Sequence, residues 1–238
     1  MPVLPLSSKP PPAPAMQAQP IRLAGIALTA RASGALWWEE ARLLCVADLH
    51  LGKSERLARR GGPLLPPYES EETVSRLAAE IEALAPVTVV CLGDSFDDSA
   101  AGHALESGVA RRLRHLAADR EWIWVAGNHD PAAPPLAGRS SDEHRVGPIA
   151  FRHRAAANLG SAEISGHYHP KLRLPVRQRA LSRPCFLFDA RRIILPAFGA
   201  YTGGLFADSP ALVALLAPDA RAVVTGDPCV TLPLPARA

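Results

Sequence analysis

Apolar positions along this chain come in two textures, and the change between them falls near residue 130. Before it, short unbroken apolar runs alternate with stretches of helical period. Ile21–Leu28 and Ala35–Trp38 read as an opening hairpin, while Arg42–Ala47, Val87–Leu92 and Trp122–Ala126 read as strands. A run without polar interruption is typical of a strand covered on both faces. Glu71–Leu84 places Val74, Leu77, Ala78, Ile81 and Leu84 on one helical stripe, with acidic residues in its first turn, Ser70 as the expected N-cap and Pro86 as its stop. Ala104–Ala118 is a second predicted helix. Strand, helix, strand, helix, strand predicts parallel pairing through crossover helices.

Beyond a Pro/Ser-rich loop at 131–143, only short strand candidates follow: Ile149–His153, Ala162–Ser165, Leu172–Pro175, Pro184–Phe188, Ile193–Leu195, Leu212–Leu216 and Ala222–Val224. Helical periods are nearly absent there, which predicts mainly antiparallel strands packed on the first half. The expected fold is α/β, a layered β-sandwich flanked by α-helices. Residues 1–20, rich in Pro and Ala around Pro10-Pro11-Pro12, have little apolar surface to bury and are expected to be disordered. Residues 21–238 are then expected to form a single domain.

Composition narrows this modestly. The 238 residues are 48% hydrophobic and 21% charged, ordinary for a globular protein, and aromatics make up 5%, too few for an array of base-stacking rings. A net charge of +3 permits a polyanionic partner without demonstrating one. Cys45, Cys91, Cys185 and Cys229 form no zinc-knuckle spacing and suggest a reducing compartment. With no run of about 20 apolar residues and no charged start followed by an apolar block, the expected location is cytoplasmic.

The candidate chemistry sits where the strand runs end. Asp48-Leu49-His50, Gly93-Asp94, Gly127-Asn128-His129-Asp130 and Gly166-His167-Tyr168-His169 each follow such a run. Groups at the carboxyl ends of parallel strands gather in one place. Singly, the first three read as solvated strand ends or turns; two histidines at alternate positions are harder to explain without a ligand role. Together they supply the carboxylates, imidazoles and amide of a site for two divalent ions, which can bind a phosphate and generate hydroxide. Asp48 and His50 point the same way if the backbone stays extended. The glycines before Asp94, Asn128 and His167 allow close approach.

The order D-x-H, G-D, G-N-H-D, a separate His, then G-H-x-H resembles the calcineurin-like metallophosphoesterase superfamily. That resemblance implies a dinuclear site, with Asp48, His50, Asp94 and His169 on one ion and a shared Asp94 with Asn128, His167 and the separate histidine on the other. His153 is the first choice for that histidine and His144 the competitor. By the same resemblance His129 is a catalytic non-ligand and Asp130 its orienting carboxylate. Attack by a metal-bridging hydroxide, without a covalent enzyme intermediate, is the implied mechanism. His103 and His115, in the helical region, are expected at the surface.

Gly93-Asp94 is followed by Ser95-Phe96-Asp97-Asp98 and lacks the D-R-G of phosphoprotein phosphatases. The stretch Asp48–Lys53 with Arg59 and Pro63, Gly166–Pro170, and Leu195–Gly199 with Thr202-Gly203-Gly204 resemble instead the bacterial branch of ligase-associated DNA damage response endonucleases, PdeM. That branch implies manganese as the ion, DNA as substrate, and an ATP-dependent DNA ligase and a helicase as partners. Mixed O/N ligation equally suits iron or zinc. Lys53 and Arg59, with Arg56 and Arg60, either neutralise a nucleic-acid backbone or belong to a solvated loop. Gly199, Gly203 and Gly204 either pass close to the site or make hairpin turns. A small-nucleotide or cyclic-nucleotide phosphodiesterase is the alternative enzyme, and a metal-free scaffold is the non-enzymatic one.

Overall fold

The computed structural model describes residues 18–62, 68–105, 107–130, 136–176 and 179–234. Two sheets face one another. The first is ordered β1 (Ala18–Leu23), β2 (Ile26–Arg31), β3 (Leu36–Trp38), β4 (Leu43–Ala47), β5 (Thr88–Leu92), β6 (Glu121–Val125) and β7 (Arg139–Ser141). It is antiparallel through β4 and parallel from β4 to β7. The second holds β8 (Glu143–Val146), β9 (Ile149–Arg152), β10 (Ala162–Ser165), β12 (Arg179–Phe188), β13 (Arg192–Ile194), β14 (Arg221–Val224) and β15 (Val230–Pro233) in the order β15-β14-β12-β13-β10-β9-β8, with β11 (Lys171–Val176) paired to β12.

Alternation along the central strands explains the unbroken apolar runs. Leu43, Cys45 and Ala47 turn inward with Val90, Leu92, Ile123 and Val125 against Phe151, Ile164, Phe186 and Ile193 of the other sheet. Leu44, Val46, Val89, Cys91, Trp122 and Trp124 turn outward onto α2 (Glu69–Leu84) through Val74, Leu77 and Ile81, and onto α4 (Ser107–Ala117) through Val109 and Leu113. Both faces are covered, so neither tolerates a polar side chain.

Several expectations change. The Ile21–Leu28 run is two strands joined at Ala24-Gly25, and β1 starts at Ala18, inside the segment expected to be disordered; residues 1–17 lie outside the described chain. Lys53–Arg59 is a helix, α1, where a loop was one reading. α2 starts at Glu69 with Tyr68 as its N-cap. Ser70 is inside the first turn, and its hydroxyl accepts the Gly52 N–H at 2.9 Å. Buried Glu69 accepts the Ser54 N–H at 3.0 Å, satisfying a free donor at the start of α1. The predicted helix 104–118 is α4, and a separate short helix, α3 (Ser99–Ala104), precedes it across extended Leu105; the Asp98 side chain caps α3 by accepting the Ala101 N–H.

The second half is mainly antiparallel, as expected, but at its centre β9, β10 and β13 run parallel. Parallel neighbours need long connections. Here a loop (153–161) and the β11–β12 hairpin supply them, so missing helical periods did not signal antiparallel pairing. Leu212–Leu216 is not a strand either: Pro210–Val213 forms one helical turn, α5, with Pro210 at its start. Part of the 131–143 loop is β7 and the start of β8.

Candidate metal centre

The ligand candidates meet at one end of the sandwich, beyond the carboxyl ends of β4, β5, β6, β9 and β10. Their ligand atoms fall into three groups, each within 4.8 Å: Asp48, His50 and His169; Asp94, His153 and His167; and His50, Asp97 and His129. In the first, His169 Nε2 lies 3.2 Å from Asp48 Oδ1 and 3.4 Å from His50 Nε2. In the second, His153 Nε2 lies 2.9 Å from Asn128 Oδ1, 3.1 Å from His167 Nδ1 and 3.4 Å from Asp94 Oδ2. His153 Nδ1 is also 3.7 Å from Asp48 Oδ1, so the first two groups adjoin. Asp94 falls in the second group, and His153 rather than His144 occupies the place of the separate histidine. His144 sits on β8 beside Arg139 and Phe151. His115 is exposed on α4, and the His103 side chain lies outside the described residues.

The backbone is not extended at the ligands. Asp48, His50, Asp94, His167 and His169 all have left-handed φ, between 45° and 72°. Such conformations cost non-glycine residues about 1–3 kcal/mol each and persist only where the surroundings enforce them. The enforcing bonds are visible: His50 N–H donates to Asp94 O at 2.9 Å, His167 N–H to Asp48 Oδ2 at 2.9 Å, and His129 N–H to Asp94 Oδ1 at 2.8 Å. The glycines fulfil their expected role. A Cβ on Gly93 would strike the His153 ring, and one on Gly127 would overlap Asp94.

What orients each imidazole can be read from its Nδ1. His153 Nδ1 donates to Leu92 O at 3.0 Å, and His129 Nδ1 to Asp97 O at 2.9 Å; a carbonyl only accepts, so the proton is on Nδ1 in both. His50 Nδ1 pairs with Asp97 Oδ1 at 2.8 Å, and Asp97 is bonded in turn to the Arg56 guanidinium. Nε2 of His50 and His153 is thereby left facing neighbouring donor atoms. This outer layer of oxygens is the arrangement that fixes tautomers around metal sites. Asp97 was missed from sequence. Its signal was an acid three residues after Asp94, and only the path of the loop shows which histidine it serves.

Asp130 does not orient His129. Its Oδ2 accepts the Ser95 and Phe96 N–H groups at 2.7 and 3.1 Å, clamping the loop after Asp94. Lys53 and Arg59 lie on α1. Lys53 Nζ donates to Tyr201 O at 3.1 Å, and Arg59 is paired with Asp98 at 2.9 Å, so the Arg59 charge is already matched. Gly199 and Gly204 pack against the backbones of Leu49 and His169, whereas a Cβ on Gly203 would meet open space.

Electrostatics follow the geometry. Burial opposes ionisation of Asp94, but bonds from His153 and the His129 N–H hold its carboxyl at about 2. Burial alone would depress His153; Asp94 and Asp48 lift it to about 9. Burial raises Asp130 to about 6, with Asp94 adding to the effect. Burial and the neighbouring charges of His153 and Arg154 lower His167. A proton on His153 therefore sits among two carboxylates, an amide oxygen and a second imidazole. Once a cation displaces that proton, the convergent imidazole nitrogens and buried carboxylates are a donor set that fits divalent manganese, iron or zinc.

A family model for calcineurin-like phosphoesterases matches residues 41–185. Among solved structures, Pseudomonas putida nuclease MPE is 28% identical, with a TM-score of 0.71 over 91% of this chain and 100% of that one. The Escherichia coli phosphoesterase Yfce is 15% identical, with a TM-score of 0.38 over 68% of this chain and 83% of that one. No curated protein matches.

Proposed function

The chain belongs to the calcineurin-like phosphoesterase family, and from that premise we propose that it is a dinuclear-metal phosphodiesterase that cuts DNA internally. The observation that supports this reading best is the pair of adjoining ligand groups, Asp48/His50/His169 and Asp94/His153/His167, joined across 3.7 Å by His153 and Asp48. These residues, with Asn128, would hold two divalent ions. When bound, such ions polarise phosphoryl oxygens and lower the pKa of water.

The remaining work falls to side chains. Asp97 and Leu92 O keep His50 and His153 turned so that each presents Nε2. His129, its Nδ1 committed to Asp97 O, stands edge-on to His50 with ring centres 5.2 Å apart. In its doubly protonated form it offers Nε2–H to the departing oxygen, a general-acid role. DNA as substrate is supported by the likeness to a nuclease over nearly the whole chain. Manganese, work in DNA repair beside an ATP-dependent ligase and a helicase, and a cytoplasmic location belong to the same proposal. No helix among the described residues is long and apolar enough to cross a membrane.

Rates on plasmid DNA, on cyclic and dinucleotide substrates and on bis(p-nitrophenyl) phosphate, each with manganese, iron, zinc or chelator, test this. Metal-dependent nicking of the plasmid, abolished by chelator, is expected. Faster turnover of small nucleotides than of DNA favours the alternative enzyme, and inertness with every metal overturns the reading.

A further inference from the structure

Next to the ligand groups, at the same end of both sheets, lies a groove of about 340 Å³ bordered by Ser33, Arg76, Arg183, Gly199, Tyr201 and Thr202. Its position follows from strand direction. β3 runs antiparallel to β4 with Leu36 opposite Cys45, so the β2–β3 turn holding Ser33 lies at the end of β4 that carries Asp48. In the other sheet β12 runs antiparallel to β13, which places Arg183 at the end where β10 delivers His167 and His169. The groove's edge is tied to the ligand loop by backbone: Gly199 N–H donates to Asp48 O at 3.0 Å. The β2–β3 turn lies between one and two strand spacings, ~5–10 Å, from β4. That is about two to three nucleotides of helical rise.

The groove's chemistry suits a polyanion. Among the described residues, none that lines it is acidic. Arg76 is occupied: its guanidinium donates to Phe198 O and lies over the Phe198 ring, 4.7 Å from its centre. Arg183 is different. It is exposed, and among the described residues no carboxylate lies within ion-pair distance of it, whereas Arg56, Arg59 and Arg173 each have one. It lies on a stretch, Lys171 to Phe188, with five basic and no acidic residues. Tyr201, 50% exposed, forms the lip nearest α1, its carbonyl held by Lys53.

We infer that this groove carries the nucleic-acid chain away from the scissile phosphate, with Arg183 on a backbone phosphate and Tyr201 flanking the path. The inference rests on the proposed phosphodiesterase reading and adds where the polymer lies. Phosphate contacts position a chain without reading its sequence.

The test compares wild type with Arg183→Ala, Arg183→Glu and Tyr201→Ala. One readout is turnover of plasmid DNA and of bis(p-nitrophenyl) phosphate with manganese. The other is binding of a fluorescein-labelled oligonucleotide in chelator, which needs no catalysis. Arg183→Glu should weaken oligonucleotide binding about tenfold, and Arg183→Ala should make the slope of log affinity against log salt shallower by about 0.7–0.9. Aryl diester turnover should stay within about twofold of wild type. Unchanged DNA binding and cleavage in both Arg183 variants overturns the groove, as does equal loss on both substrates. Failure of the wild type on the aryl diester strikes the phosphodiesterase reading instead, and oligonucleotide binding still decides the groove.

Discussion

The two ligand groups are built alike but supported differently. In the first, His50 is held by a side chain, Asp97, which is itself held by Arg56. In the second, His153 is held by a main-chain carbonyl, Leu92 O, at the end of β5. A side-chain support can be removed by mutation, whereas a carbonyl in a central strand cannot. Asp97 also belongs to the group containing His129, and Asp97 O fixes His129 Nδ1. One residue thus serves a ligand through its side chain and the acid candidate through its backbone. In the second group His153 faces both its own Asp94 and Asp48 of the first group, which makes it the more electrostatically coupled of the two.

The largest effect expected is that of Asp94→Ala. It removes a carboxylate from the second group directly and, if the carboxylate is shared, empties the first as well. Activity should fall more than about 100-fold, beyond what loss of an orienting partner alone causes. Metal content measured by plasma mass spectrometry decides the sharing: retention of one ion per chain would break it. His129→Ala comes next. It should keep both ions and slow turnover by roughly 10²–10⁴-fold, the usual worth of a general acid. Turnover equal to wild type at full metal content would refute that role.

Asp97→Ala separates the two groups. Metal titration by calorimetry should show one binding step weakened by about 10–100-fold and the other nearly unchanged. Equal weakening of both steps would mean that Asp97 supports the whole loop rather than His50. The carbonyl that orients His129 survives this substitution.

The second group should also show a pH signature. His153 has its pKa raised to about 9 in the folded protein, above the ordinary value near 6.5. Its protonation therefore contributes stability fully below pH 6.5, and that contribution is lost as pH rises through about 9. Thermal unfolding in chelator should fall over this window, by up to about 3 kcal/mol of stability. Manganese should flatten the fall, because a bound cation takes the proton's place. A flat profile in chelator would contradict the coupling of His153 to Asp94. The smallest effect is expected at Arg59→Ala. An exposed pair with Asp98 is worth about 0–1 kcal/mol, so melting and DNA cleavage should barely move. A large loss of cleavage would restore Arg59 as a substrate contact.

The sequence alone determined which segments are strands in the first half, because Leu43–Ala47, Val89–Leu92 and Trp122–Ala126 have no polar residue to expose on either face. It also marked residues that folding brings together, since Asp48, Asp94, Asn128, His153 and His167 all follow strand ends at one edge. Periodicity records that a face is buried and is silent about its neighbour, so the parallel set β9, β10 and β13 was invisible in it. The left-handed backbone at Asp48, His50 and Asp94 was equally hidden, because hydrogen bonds between segments 35 to 119 residues apart impose it. For the same reason Asp130 clamps the loop after Asp94, Asp97 serves His50, and Arg59 is neutralised while Arg183 is not: a polar side chain's role depends on which donor or acceptor folding brings within about 3 Å, and only the tertiary structure decides that.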